Sequence, residues 1–347
     1  QMSRLRKQTI FAFICFFLIF TCQGVWAQLR EEIEEKKPTR LEVESLATEV
    51  IETRKEKKKY ILSSSLELAS SYESNPRLTS IRNGDHAAHL RYSLLFKRPL
   101  FKGILFNFNY NIDGSGYSEL NELTNFLNHT RLTFDKSFNK YLGFGMGYDF
   151  SSFYYPYELS SDFYFHKGLV YLKHHFSKNM YQQVLWEEGI KDYIHSSAYA
   201  HTLTTYQEED RRDYRHRVEH HLGMHLSEKI FFRFKTKYTV SDSNAFYQDY
   251  HDFKSLDLSS YFNYQISKKY SVDLGMTFTD KEYKSRLVGV QTYERQDRIY
   301  NGSIGFRYSI NDHHTVSLGY TYDENRSNDP TSEYTNNTIK GAWRYNF

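Results

Sequence analysis

The stretch Tyr334–Phe347, YTNNTIKGAWRYNF, decides how the rest of the chain is read. Every second residue back from its end gives Phe347, Tyr345, Trp343, Gly341 and Ile339, all apolar, aromatic or small. The residues between them, Asn346, Arg344, Ala342, Lys340, Thr338 and Asn336, are mostly polar or charged. A period of two is that of a β-strand with one apolar and one polar face.

Outward from that stretch the same period recurs back to Tyr60. It predicts a first strand over about Tyr60–Tyr72 and a second over His86–Lys97, with Leu90, Tyr92 and Leu94 on the apolar side. The third is the cleanest: Ile104, Phe106, Phe108, Tyr110 and Ile112 alternate with Asn107, Asn109 and Asn111. Phe126–Ser137 and Leu142–Phe150 follow, then Phe163–Phe176 and Met180–Ile194. The seventh has no clear register, because Val184 and Trp186 share a face with Glu188 and Asp192. The apolar positions Tyr214–Leu226, Ile230–Val240, Leu256–Ile266, Val272–Phe278, Tyr300–Ile310 and Val316–Tyr322 mark six more, and the opening stretch is the fourteenth.

The connections alternate in length. Short turns such as Arg98-Pro99, Ser177-Lys178-Asn179 and Ser267-Lys268-Lys269 follow even strands. Longer polar loops such as Glu73–Asp85, Asp113–Asn125, His195–Glu209, Glu282–Glu294 and Glu324–Glu333 follow odd ones. Turns on one rim and loops on the other are the asymmetry of a transmembrane barrel, with short turns on the periplasmic side. The expected fold is all-β: an antiparallel up-and-down transmembrane β-barrel of about 14 strands over residues 60–347, with 12 or 16 as alternatives. An even count places both termini in the periplasm.

The final strand resembles the closing strand of bacterial outer-membrane β-barrels. That resemblance implies an assembly signal at Phe347, Tyr345 and Trp343, read by the barrel-assembly machinery, and lipid and lipopolysaccharide of a Gram-negative outer membrane as surroundings. The Tyr–polar–Asn loops SYESNP (Ser71–Pro76) and TYDENRSNDPTSEYTNN (Thr321–Asn337) are similar to those of porin-type barrels associated with exopolysaccharide loci. Surface-lipoprotein assembly modifiers have a similar barrel behind a helical-repeat domain, which Gln28–Lys59 is too short to hold.

Ahead of the barrel, Arg4, Arg6 and Lys7 precede the apolar run Ile10–Phe20, and Val25-Trp26-Ala27 offers a cut before Gln28. This is the layout of a signal peptide over residues 1–27. Cys15 and Cys22 both lie within it, so the expected mature chain has no thiol chemistry. Residues 28–59, crowded with Glu and Lys, read as a charged periplasmic extension, partly helical or disordered.

Mean hydropathy is −0.69 while aromatics make up 18% of residues. Strands that alternate between lipid and water reconcile the two figures. A net charge of +3 is too small to imply nucleic acid. On strands eight and nine the polar face carries Arg215, Arg217, His221 and His225 against Arg233, Lys235 and Lys237, with Glu219 and Asp257 as neutralising candidates. Arg215, Arg217, Arg233, Lys235 and Lys237 form a candidate basic stripe lining the lumen, suited to an anionic solute or polysaccharide, against the plainer reading of a mixed-charge wet wall.

The doublets His174-His175 and His220-His221 lie on strands, where neighbours face opposite ways, so no metal is expected. No active-site motif is present, and neither an enzyme nor a cofactor is expected. Three functions stay open: a porin-like channel for small hydrophilic solutes or saccharides, leaning towards anions; an export or assembly barrel for polysaccharide or protein secretion with periplasmic partners; and a plugged structural or adhesive surface barrel.

Overall fold

In the computed structural model, strand follows antiparallel strand until the last pairs with the first. The structure describes residues 60–80, 83–197, 210–244, 251–288 and 293–347; the expected signal peptide and charged extension lie outside them. The strands are β1 (Ile61–Glu73), β2 (Asp85–Pro99), β3 (Ile104–Tyr117), β4 (Asn125–Ser137), β5 (Leu142–Tyr154), β6 (Phe163–His175) and β7 (Met180–Ser197). The second half is β8 (Asp210–Ser227), β9 (Ile230–Ser243), β10 (Phe253–Gln265), β11 (Tyr270–Leu287), β12 (Glu294–Ser309), β13 (His314–Ser327) and β14 (Tyr334–Asn346). All 14 close into one barrel. At about 4.8 Å between strands, tilted by roughly 40°, the wall has a radius of about 14 Å.

Closure is what lets such a sheet cross a membrane, since no edge is left with unpaired N–H and C=O groups in lipid. The seam runs from Ser65 opposite Asn346 to Glu73 opposite Thr338, and Phe347 N–H donates to the Ser64 carbonyl at 3.0 Å. Both ends of the barrel lie on the rim of short turns.

Register fixes the faces. Apart from Ile61 at the turn-side end of β1, the apolar residues of β1–β13 that stand out from the wall carry even numbers, among them Leu68, Leu90, Phe134, Met146, Val170, Trp186, Val218, Leu274, Met276 and Leu318. In β14 they are odd, since Trp343 lies opposite Val316 and Leu68. This outer surface would be costly in water and is stable against lipid. Rings flank it towards the turn rim, where Phe106 lies 5.3 Å from Phe134 and Tyr270 stacks on Tyr308 at 4.8 Å. Towards the loop rim Phe150 and His166 lie 4.9 Å apart.

Register also settles β7. Val184, Trp186, Glu188 and Ile190 face outward, and the carboxylate is accommodated locally: Trp186 Nε1–H donates to Glu188, which pairs with His216 directly opposite on β8.

Several strands run further than their apolar alternation. β3 continues through Gly114 and Gly116 to Tyr117, so the expected loop Asp113–Asn125 shortens to 118–124; β11 and β13 likewise reach Leu287 and Ser327. Backbone pairing persists on the loop side after the need for lipid-facing side chains has ended. An aspartate heads the descending strand at several of these loops. Asp85 accepts the Glu119 and Leu120 N–H groups at 3.0 and 2.9 Å, Asp162 accepts Tyr155 N–H at 2.6 Å, and Asp252 accepts Ser243 N–H at 2.7 Å.

Candidate functional site: the basic inner wall

Odd residues of β1–β13 face the lumen, and there the buried groups are polar. Asp149, fully buried, accepts His129 Nε2 at 2.9 Å and Arg131 Nε at 2.8 Å, and lies 3.1 Å from Lys167 Nζ, linking β4, β5 and β6. A carboxylate buried among Arg131 and Lys167 is stable because it is partnered.

On β8 and β9 the register places the cations of the expected stripe at odd positions, with a correction to how they face one another. Cations do not face cations along its length. Lys237 lies opposite Glu219, Arg217 opposite Thr239, and Arg233 opposite Gly223; only His221 stands opposite Lys235. A row of like charges directly across a ladder is destabilising, and the register avoids it. Carboxylates interleave instead. Arg217 reaches Glu187 at 2.9 Å and Glu219 at 3.7 Å, His221 Nε2 lies 2.8 Å from Glu219, and Lys237 pairs with Asp257. Glu219 and Asp257 therefore do neutralise part of the stripe, as their positions suggested.

Three members of the stripe form no ion pair with a carboxylate among the described residues. Arg215 Cζ lies 5.3 Å from the Phe165 ring and 5.9 Å from the Phe253 ring, and its buried Nε has no hydrogen-bond partner among the described residues. Arg233 lies 5.4 Å from the Tyr261 ring. Lys235 stands opposite Ser259 and His221 and forms no ion pair within 4.0 Å among the described residues. Aromatic faces hold such cations in place without cancelling their charge. Towards the loop rim Lys191 continues the pattern: its Nζ lies 3.6 Å from the centroid of the Phe163 ring and donates to Tyr193 Oη at 2.6 Å. Carboxylates that lack a cation lie on other strands; Asp135 takes Asn107 and Asp323 takes Asn301. Arg215, Arg233 and Lys235 thus bring positive charge together on β8 and β9.

Sequence reading located the cations and missed their rings. Phe163, Phe165, Phe253 and Tyr261 sit on the wet face of strands whose dry face was already recognisable, so they were not needed to find the period. Lys191 was hidden by the unresolved register of β7. Among the described residues no His, Asp or Glu cluster suits a metal ion. Phe347, Tyr345 and Trp343 do line one face of the closing strand, with Tyr345 4.7 Å from Phe347 and 6.3 Å from Trp343.

This fold has known counterparts. The outer-membrane-expressed OmpT of Vibrio cholerae superposes with a TM-score of 0.50 over 84% of this chain and 99% of its own, at 7% identity. An anion-selective porin from Comamonas acidovorans gives 0.49 over 83% and 99%, also at 7% identity, and a bacterial polysaccharide outer-membrane secretin 0.46 over 82% and 98%, at 11%. The first of these supports a shared barrel fold and, at 7% identity, nothing finer. No protein-family model and no curated protein sequence matches the chain.

Proposed function

We propose that this protein is a non-enzymatic outer-membrane channel that passes small hydrophilic solutes or saccharides and favours anions. The carrying observation is that Arg215, Arg233 and Lys235 project from one side of the inner wall with no carboxylate partner among the described residues. Positive charge on a low-dielectric wall raises the local concentration of anions and biases permeation towards them. Size supports the reading, because barrels of 8 strands are filled by their own side chains and the passage widens as strands are added.

In this reading the chain is exported by residues 1–27, keeps both termini in the periplasm, and presents the loop rim outside. The assembly machinery engages the closing strand through Phe347, Tyr345 and Trp343, and lipopolysaccharide surrounds the outer half of the belt. The test is single-channel recording of the refolded protein in a planar bilayer under a salt gradient. A reversal potential on the anion side supports the proposal; a cation preference or a closed barrel contradicts it.

A further inference from the structure

Beside the two turn-side cations of the stripe, the register lays out a small grid on the inner wall. One row crosses four strands as Lys235, Ser259, Thr277 and Asn301; the next crosses the same strands as Arg233, Tyr261, Gly275 and Ser303. Small side chains at Ser259, Thr277, Gly275 and Ser303 leave a recess of about 240 Å³ between β9 and β12, with Tyr261 on its wall. Gly275 widens it: a Cβ there would stand 2.5 Å from Ser303 Oγ and narrow the space. Its size lies below the ~300 Å³ at which pockets begin to take drug-sized ligands, and suits a single small ring.

The floor and the edge differ in chemistry. Ser259, Thr277 and Ser303 supply hydroxyls, each able both to donate and to accept, and Thr277 Oγ1–H already donates to Ser259 Oγ at 3.1 Å. Arg233 and Lys235 stand at one edge. The carboxylates nearby are engaged: Asp273 accepts Tyr261 and Asn263 and pairs with Arg307 at 2.9 Å, Asp323 accepts Asn301, and Asp257 pairs with Lys237. A bare inorganic anion would engage the cations and accept from the hydroxyls but leave their acceptor capacity unused, and a neutral sugar would use the floor and leave the cations without a counter-charge.

We infer that this recess is a binding site for a sugar acid, with the ring hydroxyls on Ser259, Thr277 and Ser303 and the carboxylate on Arg233 and Lys235. The inference rests on the channel reading and names its substrate class. A hexuronate has this composition, whether as a free monosaccharide or as one unit of an acidic polysaccharide.

The experiment measures block of single-channel current by glucuronate, glucose and acetate in the same bilayer. Half-block by glucuronate is expected at a concentration at least tenfold below that of either control. In the Ser259→Ala/Thr277→Val double variant the ratio of the glucuronate to the acetate half-block concentration should rise towards one. Equal block by glucuronate and acetate in the native protein would overturn the site and leave only a charge filter. A trisaccharide of glucuronate separates the sources: block stronger than by the monosaccharide marks a polymer threading past the recess, and equal block marks the free sugar acid. If the barrel does not conduct, the channel reading fails on that result. The recess is then decided by calorimetric titration of the detergent-solubilised protein, where glucuronate at least tenfold tighter than glucose and acetate upholds it and no such difference overturns it.

Discussion

Glu67 on the first strand of the barrel takes Arg344 from the last: Arg344 Nε donates to Glu67 Oε2 at 3.1 Å, and Lys340 Nζ lies 3.5 Å from Oε1. The seam that closes the sheet is therefore pinned from inside by one buried carboxylate and two cations of β14. Glu67→Gln should lower the stability of the refolded barrel by about 1–2 kcal/mol, because charge-assisted bonds become neutral while both cations keep partial access to water. Urea unfolding in lipid vesicles measures this; an unchanged midpoint would show that the backbone ladder alone closes the seam.

Asp149 is the stricter case, because it is fully buried beneath His129, Arg131 and Lys167. Asp149→Asn leaves Arg131 and Lys167 without their counter-charge and should cost about 2–4 kcal/mol. The channel that still forms should be more anion-selective. A reversal potential that moves the other way would refute the electrostatic account of the wall.

On the lipid face Glu188 and His216 should behave as a unit. Removing one partner alone, as in His216→Leu, leaves a carboxylate facing lipid and should destabilise the barrel by about 1–2 kcal/mol. The double variant Glu188→Leu/His216→Leu should recover that loss. Independent, additive effects on the unfolding midpoint would mean that the pair is not coupled.

Two glycines on neighbouring strands should respond in opposite ways. A Cβ on Gly147 would overlap the Leu132 carbonyl oxygen and crowd Thr133, whereas one on Gly168 meets nothing within 4 Å. Gly147→Ala should cost about 1–3 kcal/mol through strain in the ladder. Gly168→Ala should be neutral or mildly stabilising. Comparing the two urea midpoints checks both.

Acid should loosen the loop between β13 and β14. Burial alone would raise the Asp329 pKa, but the Thr331 and Ser332 hydroxyls, Thr331 N–H and Arg295 together hold it below the ordinary aspartate value. A depressed folded pKa contributes stability above the unfolded value, near 3.9, and that contribution is lost as pH falls through the folded one. Amide exchange at Thr331, corrected for intrinsic rate, should therefore quicken in acid in the native chain. Asp329→Ala should show the quickened exchange already at neutral pH.

How much was legible in the sequence follows from what each signal measures. Alternation reports a difference between faces, so strands such as β3, with Phe and Tyr against Asn, were unmistakable, while the count of 14 stood beside 12 and 16 until the register closed the barrel. It failed at β7, where Glu188 and Asp192 fall on the apolar face, since their partners His216 and Arg212 sit on another strand and no local pattern shows them. It also stopped short at the loop rim, where β3 continues through glycines. The basic stripe was visible as composition, but its neutralisation was not. Which cation meets a carboxylate and which meets a ring depends on cross-strand register, as Lys237 with Asp257 and Arg233 with Tyr261 show. The recess left a faint trace in the run of small odd-numbered residues Ser255, Ser259, Gly275 and Thr277.

The most direct test of the central claim is the reversal potential of the refolded protein in a planar bilayer under a potassium chloride gradient, compared with the Arg233→Ser/Lys235→Ser variant. The account predicts steady conductance favouring chloride in the native protein and a clear loss of that preference in the variant. Cation selectivity, or an anion preference untouched by removing both charges, would contradict it.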